Sequence, residues 1–169
     1  AQGKIGFIIV CIIIGISLGA PLLPYPGPNL RNNKYVFLAP STVHFPLYIL
    51  GGDYMGGPLL LDLIWGLRYF IVVGLVAALL TVTIGTVSGL LAGYLGGLVD
   101  QAFNFVFTLM LTIPSFALWV VLAIIFLNAG PVTLGFILGI INWPGLARSV
   151  RSVVLSSKQA DFVEASRAL

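Results

Sequence analysis

Long apolar runs with almost no charge inside them restrict this chain more than any other feature. Four segments, Ile5 to Leu23, Tyr69 to Gly93, Gln101 to Leu127 and Val132 to Arg148, are each about as long as a helix that crosses a hydrocarbon core of roughly 30 Å. Hydrophobic residues make up 59% of the chain and charged residues 8%, with a mean hydropathy of +1.11, so the runs are not the core of a water-soluble domain. Unpaired backbone groups in lipid cost several kcal/mol each, so the spans are expected to be α-helices. No ten-residue alternation of apolar and polar residues points to a barrel. The expected fold class is all-α, a polytopic transmembrane helix bundle. Its parts are a first transmembrane helix at residues 1–23, an extracytoplasmic cap at 24–68 and a three-span core with the start of a cytoplasmic loop at 69–169.

The first run sits behind Lys4, and Gly19-Ala20 imitates a cleavage site, but its length favours a permanent anchor over a signal sequence. Arg148, Arg151, Lys158 and Arg167 follow the fourth run and Lys4 precedes the first, which predicts that both ends face the cytoplasm. Arg31, Lys34 and Arg68 then fall on the outer side. Here seven prolines, from Pro21 to Pro58, and the aromatics Tyr25, Tyr35, Phe37, Phe45, Tyr48 and Trp65 predict an irregular cap at headgroup level.

Thr81, Gly85, Gly89 and Gly93 recur every four residues, a small-residue face on which helices approach closely. In the third run Asn104, Thr108 and Thr112 repeat at the same interval, with Ser115 just beyond Pro114. These four residues either bond to a neighbouring helix or line a water-filled translocation path. Pro114 lacks a backbone donor and is expected to kink its helix.

Catalytic chemistry finds no support. No histidine lies within a run to hold a haem, no pair of aspartates lies within one to act as a protease, and no glycine-rich phosphate loop is present. Cys11 stands alone mid-run as a small apolar side chain. Arg148 and Arg151 are three apart just inside the membrane, where basic residues serve as lipid-phosphate anchors or as contacts for a partner. From Lys158 to Leu169 the charges Lys158, Asp161, Glu164 and Arg167 fall three apart beside Phe162, Val163, Ala165, Ala168 and Leu169. That pattern describes a short amphipathic helix that either lies on lipid or docks in a groove.

Trp143-Pro144-Gly145, Ala147-Arg148, Val150-Arg151, Leu155 and the run Phe162 to Leu169 resemble the cytoplasmic loop of binding-protein-dependent ABC importer permeases, whose pattern is E-A-A-x-x-x-G. Ile84-Gly85, Ala92-Gly93-Tyr94, Gly96-Gly97, Val99-Asp100 and Ile113-Pro114-Ser115 are similar to the C-type subunit of the dipeptide and oligopeptide subfamily. The resemblance implies a permease bundle of six spans, of which four fall in this stretch, so the sequence is expected to be a fragment lacking both ends. It implies a second permease subunit, two ATPase subunits that carry ATP and magnesium, and an extracytoplasmic solute-binding protein. No cofactor is expected on this chain, and no nucleic acid as a partner. Asp161, Phe162, Glu164, Ala165, Ser166 and Arg167 would form the ATPase-coupling helix, in the plasma (inner) membrane of a cell. The cargo implied is a peptide, with oligosaccharide or nickel as relatives' cargoes.

Departures from the family pattern bear on cargo. The G-T-D-x-x-G-R-D stretch is here Gly51-Gly52-Asp53-Tyr54-Met55-Gly56-Gly57-Pro58, which keeps the first aspartate and loses the Arg-Asp pair. An Arg and an Asp common in the third span are replaced by Phe105 and Thr108, and Ser166 is the third residue of the E-A-A triplet. The alternative to an importer is a channel or scaffold subunit without ATP coupling.

Overall fold

The computed structural model describes residues 2–41, 46–126 and 128–158. Among them the regular elements are all helical: α1 (Gln2–Gly19), α2 (Leu59–Leu95), α3 (Gly97–Thr112), α4 (Ser115–Ile125) and α5 (Pro131–Lys158), with three short 3-10 turns between α1 and α2. Two compact units, Ala1–Val72 and Val73–Leu169, divide within α2.

In the first unit α1 is apolar on every side, and Phe7, Ile8, Ile12 and Leu18 are all exposed, as expected of a helix whose solvent is lipid. The described residues of the stretches 24–41 and 46–58 form an irregular cap held by backbone hydrogen bonds. Asn32 donates to Gly56 (3.1 Å), Phe37 to Asp53 (3.1 Å) and Gly52 to Leu38 (3.0 Å). The Asp53 carboxylate closes the turn beneath them by accepting from the backbone N–H groups of Met55 (2.8 Å) and Gly57 (2.6 Å). Gly56 has φ +74°, and a methyl group there would stand 2.0 Å from the Asn32 carbonyl oxygen, so only glycine completes this turn. Tyr48 is buried, its hydroxyl 3.1 Å from the Leu30 carbonyl and 3.0 Å from that of Gly56, and its ring lies 4.6 Å from that of Tyr35. Burial, and after it the neighbouring Tyr35 and Asp53, push the Tyr48 phenol above its ordinary pKa. Trp65 ties the cap down, with its indole N–H on the Pro24 carbonyl (3.2 Å) and its ring edge-on to Tyr25.

The second helix starts at Leu59, earlier than the apolar run alone predicts. Pro58 ends the cap, and Asp62 in the first turn complements the helix N-terminus, so residues 59–68 join the helix despite their polar side chains. The α2–α3 corner is one residue long. Gly96 and Gly97 both have positive φ, which turns the chain directly from Leu95 into α3.

The third run is broken rather than merely kinked. Ile113, before proline, is extended, α3 stops at Thr112, and α4 leaves at 70°. The fourth run does not end at Arg148 but lies inside α5, which begins at Pro131 and continues unbroken through Pro144 to Lys158. Among the described residues two helices, Gly3–Leu22 and Leu59–Leu95, are by length and hydropathy long and apolar enough to cross a membrane, or three when the bent pair α3–α4 is counted as one.

Candidate functional site: the α2–α3 corner and the basic end of α5

The face Thr81, Gly85, Gly89, Gly93 is the one on which α5 lies. Thr81 donates to the Gly139 carbonyl (3.3 Å). A methyl group at Gly89 would stand 2.5 Å from the Ala147 carbonyl oxygen, and one at Gly93 2.8 Å from the Val154 side chain. From the opposite side, Gly135 and Gly139 of α5 meet Val76 and Leu80. Small residues on both helices therefore let the backbones approach, as expected where lipid supplies no drive for association.

Ala92, Phe107 and Ala147, one residue each from α2, α3 and α5, form the buried centre, flanked by Phe103 and Trp143. The Phe107 and Trp143 rings meet edge-on at 5.6 Å. Trp143, Pro144 and Ala147, which resemble loop residues in the sequence, are thus interior helix residues here. Periodicity offers a signal for this, since Gly135, Gly139, Trp143 and Ala147 recur every four residues.

Three cations of α5 add polar contacts alongside the last of this packing. Arg148 reaches the Thr108 hydroxyl (3.1 Å). Arg151 pairs with Asp100 through two hydrogen bonds, 2.5 and 2.6 Å, with both side chains largely shielded. Lys158 donates to the carbonyls of Gly93 (3.1 Å) and Tyr94 (2.5 Å) and lies over the Tyr94 ring, so it caps the last turn of α2. Arg148 and Arg151 therefore have partners within this chain, which their spacing near the membrane surface does not reveal.

The polar stripe of α3 is divided among different surroundings. Asn104 donates to the Asp100 carboxylate (3.0 Å), and Thr108 accepts from Arg148. Thr112 turns onto its own backbone at Leu109 (2.7 Å). Ser115 lines a cavity of about 180 Å³ at the α3–α4 break, together with Asn142 and Gly145 of α5. Asp161, Phe162, Glu164, Ala165, Ser166 and Arg167 lie outside the described residues. Among the described residues no group of three or more His, Cys, Asp or Glu side chains is arranged to hold a metal ion.

A family model described as "Binding-protein-dependent transport system inner membrane component" matches residues 85–169, from the small-residue face of α2 through the corner and all of α5. The chain belongs to this family of transport permeases. Related proteins include the dipeptide transport system permease protein DppC of Lactococcus lactis, 31% identical over 86% of this chain and 42% of its own length. DppC of Haemophilus influenzae is 30% identical over 96% of this chain and 56% of its own length. The oligopeptide transport system permease protein OppC of Bacillus subtilis is 31% identical over 98% and 52%. The permease chain thus spans about half the length of the curated relatives it matches. Its family and its apolar helices make it a multi-pass membrane protein.

Proposed function

We propose that this permease chain is the part of an ATP-driven importer subunit that holds one half of the translocation path and receives force from an ATPase. Its cargo is a peptide or a similar solute, delivered by an extracytoplasmic binding protein. One observation carries the reading: the family match runs without interruption from the α2 packing face to the charged run ending at Leu169. The peptide permeases of Haemophilus and Bacillus, which align over nearly the whole chain, support the cargo class.

The work divides as follows. A second permease subunit completes the path, and two ATPase subunits bind ATP with magnesium and close on it. The run Asp161 to Arg167 docks in a groove of one ATPase, and Glu164 offers a charge-assisted hydrogen bond there. Both ends of the chain face the cytoplasm, and four spans cross the inner membrane. Ser115, at a broken helix beside a cavity, is the path residue with the strongest physical support, because non-helical backbone at membrane depth is tolerated where it lines water or protein. Asn104, Thr108 and Thr112 continue the path toward the corner.

The test is mass spectrometry of the partners that stay with the full-length subunit after mild detergent extraction. A second permease and ATPase subunits are expected; recovery of copies of this subunit alone would favour a channel or scaffold. In the assembled complex, Glu164→Lys is expected to leave the protein in the membrane and uncouple ATP hydrolysis from uptake. Normal transport by that variant would remove Glu164 from the coupling contact.

A further inference from the structure

The three cationic contacts of α5 differ in kind from the rest of its packing. From Pro131 to Ala147 the hold is mostly by shape, small residues of each helix meeting side chains of the other, with one hydroxyl–carbonyl bond from Thr81 to Gly139. Beyond Ala147 this packing continues at Val150 and Val154, and polar, directional contacts are added to it. Arg148, Arg151 and Lys158 engage α3 at Thr108, α3 at Asp100 and the end of α2 at Gly93 and Tyr94. The Arg151–Asp100 contact is a two-bond fork, which fixes the relative orientation of its two groups as well as their distance. Asn104 supports the carboxylate from one turn further along α3.

Asp100 lies in the first turn of α3, and the other end of that helix is the 70° break at Pro114. A helix clamped at one end and broken at the other has the geometry a lever needs. The described part of α5 ends at Lys158, next to the run assigned above to the ATPase groove.

We infer that Asp100 and Arg151 are positioning residues that stay closed throughout the transport cycle. They make α3 and the end of α5 one rigid lever that carries force from the ATPase side to the Pro114 hinge. This inference rests on the importer reading. It deepens that reading by naming the pair through which motion passes from α5 to α3, and it predicts that the pair does not act as a switch that opens and closes.

The experiment uses the full-length subunit assembled with its partners in liposomes, with Cys11→Ala and the partners freed of reactive thiols. Asp100→Cys and Arg151→Cys are combined, and transport per ATP is measured before and after bridging with a short bis-maleimide. Before bridging, transport per ATP is expected to fall at least about fivefold, the low end of ordinary coupling between sites, with complex yield unchanged. Bridging is expected to restore it. Loss of transport on bridging would show that the pair must open, and full coupling without the bridge would show that the pair carries no force; either overturns the inference.

If the double variant does not assemble, Arg151→Lys decides, because it keeps the charge and removes the fork. Transport per ATP is expected to fall at normal complex yield, and unchanged coupling overturns the lever. Failure of the importer reading is seen separately, as absence of ATPase partners or of ATP-dependent uptake in the Cys11→Ala parent, and the lever falls with it.

Discussion

The cap and the α2–α3–α5 core both depend on glycine, for opposite reasons. In the cap, Gly56 sits at positive φ where a loop carbonyl closes over it, and the chain is held by backbone hydrogen bonds around the Asp53 carboxylate. In the core, Gly89 is an ordinary helical residue whose missing side chain admits a neighbouring helix. The cap therefore depends on turn geometry and on backbone bonds between its own loops, whereas the core depends on surface shape between helices. Polar contacts are placed accordingly. Asp53 bonds residues two and four positions away, whereas Asp100, besides Asn104 four positions on, bonds one 51 positions away.

The largest expected effect tests the core. Gly89→Val would drive its side chain into the Ala147 carbonyl, a backbone atom that cannot move alone. We expect a loss of about 3 kcal/mol, the upper end of overpacking costs, read as a drop in Tm and in monodisperse yield from detergent. The cap should keep its resistance to protease in whatever folded protein remains. Equal loosening of cap and core would break the contrast between them.

A smaller effect on the whole protein is expected from Gly56→Ala, which forces a side chain into a left-handed turn and against the Asn32 carbonyl, at a cost of about 2 kcal/mol confined to the cap once that carbonyl swings away. Limited proteolysis should open the cap while the α3–α5 region stays intact. The same melting temperature for core and cap in this variant would show that the two are coupled more tightly than their different chemistry implies.

The smallest effect belongs to Tyr48→Phe, which removes the buried hydroxyl and should cost about 1 kcal/mol in the cap. The phenol has a raised pKa in the folded cap, so the neutral form is the one the fold prefers. Its contribution is full below the ordinary tyrosine value of about 10 and is lost as pH rises through the folded value. Protease sensitivity of the cap should rise with alkaline pH in the wild type, and that rise should be smaller in the Phe variant. An identical alkaline profile in both would remove Tyr48 from the account.

Much of the core was legible because it repeats. The four-residue spacing from Thr81 to Gly93 marks the face that α5 covers, and Pro114 marks the break between α3 and α4. Hydropathy was a poorer guide to where helices start and stop. Asp62, Trp65 and Arg68 make residues 59–68 read as part of the cap, while the helix begins at Leu59 because Pro58 and Asp62 favour a start there. At the other end of the core, Arg148 looks like the edge of a span, but α5 continues because the basic side chains that follow find partners on α2 and α3.

The Asp100–Arg151 pair was the least legible element, since spacing along the chain carries no information about which charges meet across a bundle. Scarcity was the signal that could have found it. Asp100 is the sole acidic residue between Asp62 and Asp161, so cations folding back toward the corner have one carboxylate available. The proposed coupling role of Asp161 to Arg167 rests on family resemblance alone, because the amphipathic pattern of that run suits a lipid surface as well as a protein groove.

The long sequence separation of that pair also sets an order of events during synthesis. Asp100 leaves the ribosome 51 residues before Arg151, and Lys158 follows later still. At about 5–20 residues per second, the carboxylate and the carbonyls at the end of α2 wait several seconds for their partners. Throughout that interval water holds the carboxylate and the carbonyls in place of the cations, so the α2–α3 corner gains its full set of polar contacts only once α5 has been made.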